Sequence, residues 1–141
     1  MATSAERPLL VDTSVAVPLA VADHEHHDDT FERTRSRRLG LSGHAAFETF
    51  SVLTRLPAPA RRTPATIARL LATSFPHSRF LDADACAALL ARLDAIGVAG
   101  GSVYDALVGA TAAAHGLPLA SRDRRALETY RALAVEVEFL G

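Results

Sequence analysis

Lysine is absent from this 141-residue chain, and all 15 basic residues are arginine. A P-loop needs its lysine on the β/γ-phosphates, and Schiff-base or pyridoxal-phosphate chemistry needs an amine, so none of these can be built here. A two-component receiver domain, which sets a lysine beside its acidic pocket, is excluded on the same ground. Tryptophan is also missing and aromatics make up only 6%, so extensive base stacking is not expected. The single cysteine, Cys86, excludes an internal disulfide framework and a multi-cysteine zinc site. No apolar run approaches the ~18–20 residues that span a bilayer. Met1–Pro8 shows no secretory h-region, and a reducing, cytoplasmic location is expected. The formal net charge of −1 provides no global attraction to nucleic acid, so any phosphate contact must come from local arginine clusters.

Hydrophobic residues at 49% and charged residues at 22% suit a globular domain. Leu9–Val11 is a short apolar run bounded by polar residues, as expected of a buried parallel strand. The charged, histidine-rich stretch Asp23–Arg38 predicts an exposed helix. Leu39–Ser42 predicts a second strand, and His44–Leu56 a helix stopped by Pro57 and Pro59. Thr63-Pro64 is an N-cap with proline at the first helical position, followed by Ile67, Leu70, Leu71 and Phe75 at helical spacing. Arg79–Leu81 is a strand candidate, and Asp84 is the expected cap of the next helix. There Cys86, Leu89, Leu90, Leu93 and Ile96 form one apolar stripe, which makes Cys86 a core residue. A helix over Val103–His115, a strand over Leu117–Ala120, a short helix over Arg124–Ala132 and a last strand over Val135–Leu140 complete the order. Strands alternating with helices predict α/β architecture, with a mainly parallel central sheet covered on both faces. Residues 9–140 read as one domain behind a short N-terminal extension over residues 1–8.

Ligands of open α/β sheets bind at the carboxyl ends of the strands. Two acids sit at such ends: Asp12 directly after Leu9–Val11, and Asp123 just after Leu117–Ala120. Glu48 and Asp105 lie near the starts of two helices. Brought together, each pair ~5 Å apart repels by about 3 kcal/mol at an effective dielectric of 20. Such a cluster needs protons or a hard cation, and oxygen-only ligands with incomplete occupancy suit Mg²⁺ or Mn²⁺. Taken singly, the acids also have structural readings. Ser102–Asp105 matches a capping box, Asp123 could cap the following helix, and Glu48 could be a solvated helix residue. Asp12 is harder to explain this way, because an acid behind a buried strand needs a partner.

Leu10–Ser14, the helical Glu48 within Ala46–Arg55, Tyr104–Leu107 and Leu119–Asp123 together resemble a PIN domain, over nearly the whole chain from Leu9 to Leu140. The ending Ser121–Tyr130 followed by a terminal strand is similar to VapC toxins of type II toxin–antitoxin modules. The resemblance implies a PIN-like fold and a Mg²⁺/Mn²⁺-dependent endoribonuclease, normally dimeric and neutralised by a small VapB-like antitoxin lying across the acidic groove. It carries over Asp12, Glu48, Asp105 and Asp123 as catalytic and metal residues, with Thr13 and Ser121 as supporting hydroxyls. The chain departs from the pattern at Arg125, where many members have a further acid, so four acids remain rather than five. A metal held there would activate water for in-line attack on phosphorus, leaving 5′-phosphate and 3′-hydroxyl ends.

Histidines have no part in that chemistry. His24, His26 and His27 lack the H-E-x-x-H spacing and read as an exposed acidic helix start. Among the arginines, Arg35, Arg37 and Arg38, with Arg122 and Arg124 beside Asp123, are the candidate RNA contacts, and solvated surface is the competing reading. A haloacid-dehalogenase-like phosphatase would need an aspartate where Ser14 stands, and a lysine. A PIN nuclease of RNA processing and a non-cleaving PIN-like binding domain are the alternatives within the family.

Overall fold

A computed structural model describes residues 6–141; the rest of the expected N-terminal extension, residues 1–5, lies outside the described residues. Four strands form one fully parallel sheet in the order β2-β1-β3-β4: β1 (Pro8–Val11), β2 (Arg38–Leu41), β3 (Leu119–Ser121) and β4 (Val137–Phe139). Seven helices connect them among the described residues: α1 (Thr13–Ala20), α2 (His27–Thr34), α3 (His44–Thr54), α4 (Pro64–Ser74), α5 (Ala83–Arg92), α6 (Ser102–His115) and α7 (Leu127–Ala132). The predicted α/β class and parallel sheet are what the chain adopts.

β1 is apolar without alternation because both its faces are covered. On one face Leu10 and Leu119 pack with Ala45, Val108, Ala112, Leu127 and Tyr130. On the other, Leu9, Val11 and Ala120 pack with Val15, Ala16, Leu41 and Phe75. From β1 the chain crosses to β2 on one side, and it later returns to β3 on the other. The carboxyl ends of β1 and β3 therefore flank a topological switch point, where a crevice opens outside the sheet. The Asp12 N–H donates to Ala120 O at 3.2 Å across that point.

Several predicted elements are corrected. α1 is an element beyond those expected: a short helix that buries Val15 and Ala16 and takes Pro18 in its last turn, although proline lacks a backbone donor. The helix predicted over Asp23–Arg38 is only α2, since a turn holds the residues before His27 and β2 already begins at Arg38. Arg79–Leu81 is no strand: Arg79 makes one isolated bridge to Ser42. Asp82, not Asp84, caps α5 by accepting from the Ala85 N–H at 2.8 Å. Cys86 is exposed and Leu90 is 72% exposed. α5 buries only a narrow line, with Leu89, Leu93 and Ile96 packed toward Ala106 and Leu133.

β2 is backed closely by the segment after α4. His77 N–H donates to Leu39 O at 3.0 Å and Arg79 N–H to Leu41 O at 3.1 Å. A Cβ at Gly40 would stand 2.1 Å from His77 O, a backbone atom that cannot swing away. Gly40→Ala is expected to cost at least about 1–3 kcal/mol by overpacking, read as a Tm lowered by several degrees. An unchanged Tm would show that this segment is not held against β2.

Candidate active site at the switch point

Asp12 follows β1 and caps α1 through its backbone, with Ala16 N–H donating to Asp12 O at 2.9 Å. The residue is 5% exposed, and burial is the main force raising its pKa above the usual value. Three hydroxyls oppose that rise, from Ser121, Ser14 and Tyr130, while Asp123 adds to it. The Tyr130 hydroxyl donates to Oδ2 at 2.8 Å and Ser14 Oγ donates to Oδ1 at 2.5 Å. Burial and the Asp12 charge raise the Tyr130 pKa, keeping it protonated as a donor. Ser14 Oγ in turn accepts from the Arg122 N–H at 2.7 Å, and Ser121 Oγ accepts from the Asp123 N–H at 3.0 Å.

The four acids named from the sequence all line one cavity of about 400 Å³: Asp12, Glu48, Asp105 and Asp123. Glu48 is exposed on α3, and Asp105 is half-buried in the first turn of α6. The capping-box reading of Asp105 is not what forms, since α6 has no side-chain cap and Ser102 Oγ donates to Ala99 O instead. Asp123 does cap the turn after β3, accepting from Arg125 N–H at 3.0 Å, and it lines the cavity as well. Arg125, at the position where the sequence lacks a fifth acid, approaches the same oxygen through Nε at 3.4 Å. Thr13, the first residue of α1, also lines the cavity, and Ser121 lies beneath it, fully buried.

Asp105 reports the collective field. Its pKa is raised from 3.8 to about 6, first by burial, then by Asp123, Asp12 and Glu48, against a lowering by Arg125. Among the described residues, no three His, Cys, Asp or Glu side chains stand as a ready-made metal-ligand set. The donors nevertheless fit a hard cation chemically: they are all carboxylate oxygens, and three of them raise the proton affinity of the fourth. Such a set suits an ion that keeps several waters and completes its shell from a phosphate.

Sequence reasoning missed Ser14 and Tyr130 as partners of Asp12, and nothing in their spacing marks them. His24 and His26 also line the cavity, because the turn before α2 folds over it. The candidate RNA-contact arginines have diverse surroundings. Arg122 lines the cavity with its side chain 9% exposed, donating to Asp29 Oδ2 at 2.9 Å. Arg37 makes a bidentate pair with Glu138 at 2.9 and 3.0 Å. Arg38 donates to Glu6 O at 3.0 Å, Arg35 pairs with Glu32 at 3.4 Å, and Arg124 lies 4.9 Å over the Phe139 ring.

Residues 9–132 match the PIN domain family. The chain is 45% identical to Ribonuclease VapC27 of Mycobacterium tuberculosis over 130 residues, covering 92% of this chain and 95% of the relative. It is 47% identical to Ribonuclease VapC40 of the same species over 131 residues, 92% of this chain and 96% of that one. The fold is similar to that in the crystal structure of DNA-bound VapBC from Salmonella typhimurium, with TM-score 0.68, 20% identity, and 96% and 99% of the two chains covered. The chain belongs to the PIN domain family, and within it is VapC-like.

Raised acid pKa values carry a sign. A group whose pKa is near 6 when folded and near 3.8 when unfolded binds more protons in the folded state between those values. The stability it contributes is therefore present at low pH and lost as pH rises through about 6. In EDTA, the wild-type Tm is expected to decline over that window more than the Tm of Asp105→Asn. Parallel pH profiles would show that the carboxylates do not act on Asp105.

Proposed function

We propose that this protein is a metal-dependent endoribonuclease and the toxin of a VapBC-type toxin–antitoxin pair, acting in the cytoplasm on RNA phosphodiester bonds. The observation that carries this reading is the convergence of Asp12, Glu48, Asp105 and Asp123 on one cavity at the switch point of the sheet. The identity to two VapC ribonucleases supports it. The four acids would hold Mg²⁺, or Mn²⁺ in its place. When bound, the cation supplies an activated water near neutral pH and polarises the phosphate. Tyr130 and Ser14 orient Asp12 and favour its ionised form against the effect of burial, Asp123 is anchored by the turn it caps, and Arg125 offsets part of the negative charge. Residues 9–140 act as one catalytic domain. VapBC complexes among the structural neighbours support an antitoxin partner for this chain; in this reading it lies across the acidic cavity.

The test is cleavage of a panel of structured RNAs by purified protein. Cutting is expected with Mg²⁺ or Mn²⁺, with 5′-phosphate ends, and none in EDTA. Asp12→Asn is expected to lose at least about 100-fold, the upper end of what even outer-shell metal-site changes cost. Equal cutting in EDTA or by the variant would overturn the carboxylate mechanism.

The protein acts as a homodimer in this reading, paired through an exposed aromatic patch. Phe47, Phe80 and Tyr104 are 67%, 50% and 53% exposed. Phe47 meets Phe80 edge-on at 6.1 Å, and His44, one turn before Phe47 on α3, stacks on Tyr104 at 4.7 Å. Apolar surface of this kind on a folded chain marks an interaction site. Phe47 precedes Glu48 and Tyr104 precedes Asp105, so pairing here brings two acidic cavities near one another. Light scattering is expected to give a dimer mass for the wild type and a monomer mass for Phe47→Glu. A dimeric Phe47→Glu, or a monomeric wild type, would remove this patch as the interface.

A further inference from the structure

We propose that His24 donates a hydrogen bond from Nε2–H to the phosphate of the bound RNA, a contact that rests on the ribonuclease reading above. His24, His26 and Arg122 line the same cavity as the four acids. Their tautomers follow from partners that have only one role to play. The His26 backbone N–H donates to His24 Nδ1 at 3.0 Å, so Nδ1 holds a lone pair and the ring proton sits on Nε2. The Arg122 guanidinium can only donate, so its 3.1 Å contact makes His26 Nδ1 an acceptor too. The remaining His26 Nε2–H faces Glu25 Oε1 at 3.4 Å.

The other donors of the cavity are largely committed. Ser14 and Tyr130 donate to Asp12. Arg122 serves Asp29, Thr30 and His26. His24 is half-buried, its Nδ1 is taken, and no protein group among the described residues meets its Nε2. With Thr13, it is the uncommitted donor in a cavity otherwise rich in carboxylates. A phosphodiester entering there adds negative charge to a field already strong enough to raise the Asp105 pKa. A fixed N–H aimed at a phosphate oxygen offsets that charge without occupying a metal-binding oxygen. The turn that carries His24 is tied to the end of β3 by the Arg122–His26 contact, and the helix that follows it by the Arg122–Asp29 pair, which set the donor in place before substrate arrives.

His24→Ala and His24→Gln separate this role from a structural one. With Mg²⁺, on an RNA that the wild type cuts, His24→Ala is expected to lose about 10–100-fold in kcat/KM at unchanged Tm. His24→Gln, which keeps a side-chain N–H, is expected to recover most of the loss. An alanine variant as fast as wild type overturns the proposal, as does a glutamine variant as slow as alanine. A readout independent of turnover is the imidazole ¹H–¹⁵N spectrum, with Ca²⁺ replacing Mg²⁺. His24 is expected in the Nε2–H tautomer, with Nε2 shifting when a short RNA oligonucleotide is added, while His77 and His115 stay in place. An unshifted His24 overturns the contact. Should the wild type cut no RNA, the ribonuclease reading fails, and the same spectra decide separately whether His24 meets the phosphate.

Discussion

Asp12 is a carboxyl group buried at the end of the central strand, and much of the molecule is arranged around making that tolerable. An unpaired charge in such a place costs several kcal/mol, so its oxygens require donors that do not themselves ionise. Tyr130 and Ser14 are those donors, one from α7 and one from the first turn of α1. Gly109 on α6 lets the helix pass close to the Tyr130 ring, where a Cβ would stand 3.0 Å away. A residue of the helical layer on one face of the sheet thus holds a single acid at the end of its central strand.

The same sheet decides what gathers around that acid. Because β1 turns toward β2 and β3 lies on its other side, the ends of β1 and β3 share one crevice, and the starts of α3 and α6 add Glu48 and Asp105 to it. Among the described residues, the one ion pair made to these four acids is that of Arg125 with Asp123. Long-range ion pairs hold the perimeter: Arg37 to Glu138 joins the two outer strands' neighbourhoods, and Arg122 to Asp29 fastens the first turn of α2 to the end of β3. These partly or largely buried arginines spend their charge on the fold, which leaves the cavity's negative potential largely uncompensated.

The relatives fit this division between scaffold and site. Identity of 45–47% to VapC ribonucleases extends along nearly the whole chain, whereas the VapBC structure from Salmonella typhimurium retains the fold at 20% identity. A parallel sheet with a switch point is compatible with many sequences, provided that buried positions stay apolar.

The sequence by itself determined the α/β class and the order of most elements, because buried strands and helix faces leave periodic apolar patterns. Asp12 and Asp123 stood out as acids behind such strands, whereas Glu48 and Asp105, on helices, were legible only through the family resemblance. It also excluded amine-dependent chemistry, since absence of lysine is a property of composition alone. Tertiary structure decided the rest. α1 is an element beyond those expected and holds Pro18, whose cost depends on where in the helix it falls. Cys86 and Leu90 followed an apolar stripe yet face solvent, because which line of a helix is buried depends on what packs against it. Tyr130 is 118 residues from Asp12 in the chain, and His24 reaches the cavity only through a turn fastened by Arg122. Such contacts are made between elements distant in sequence, and no local pattern encodes them.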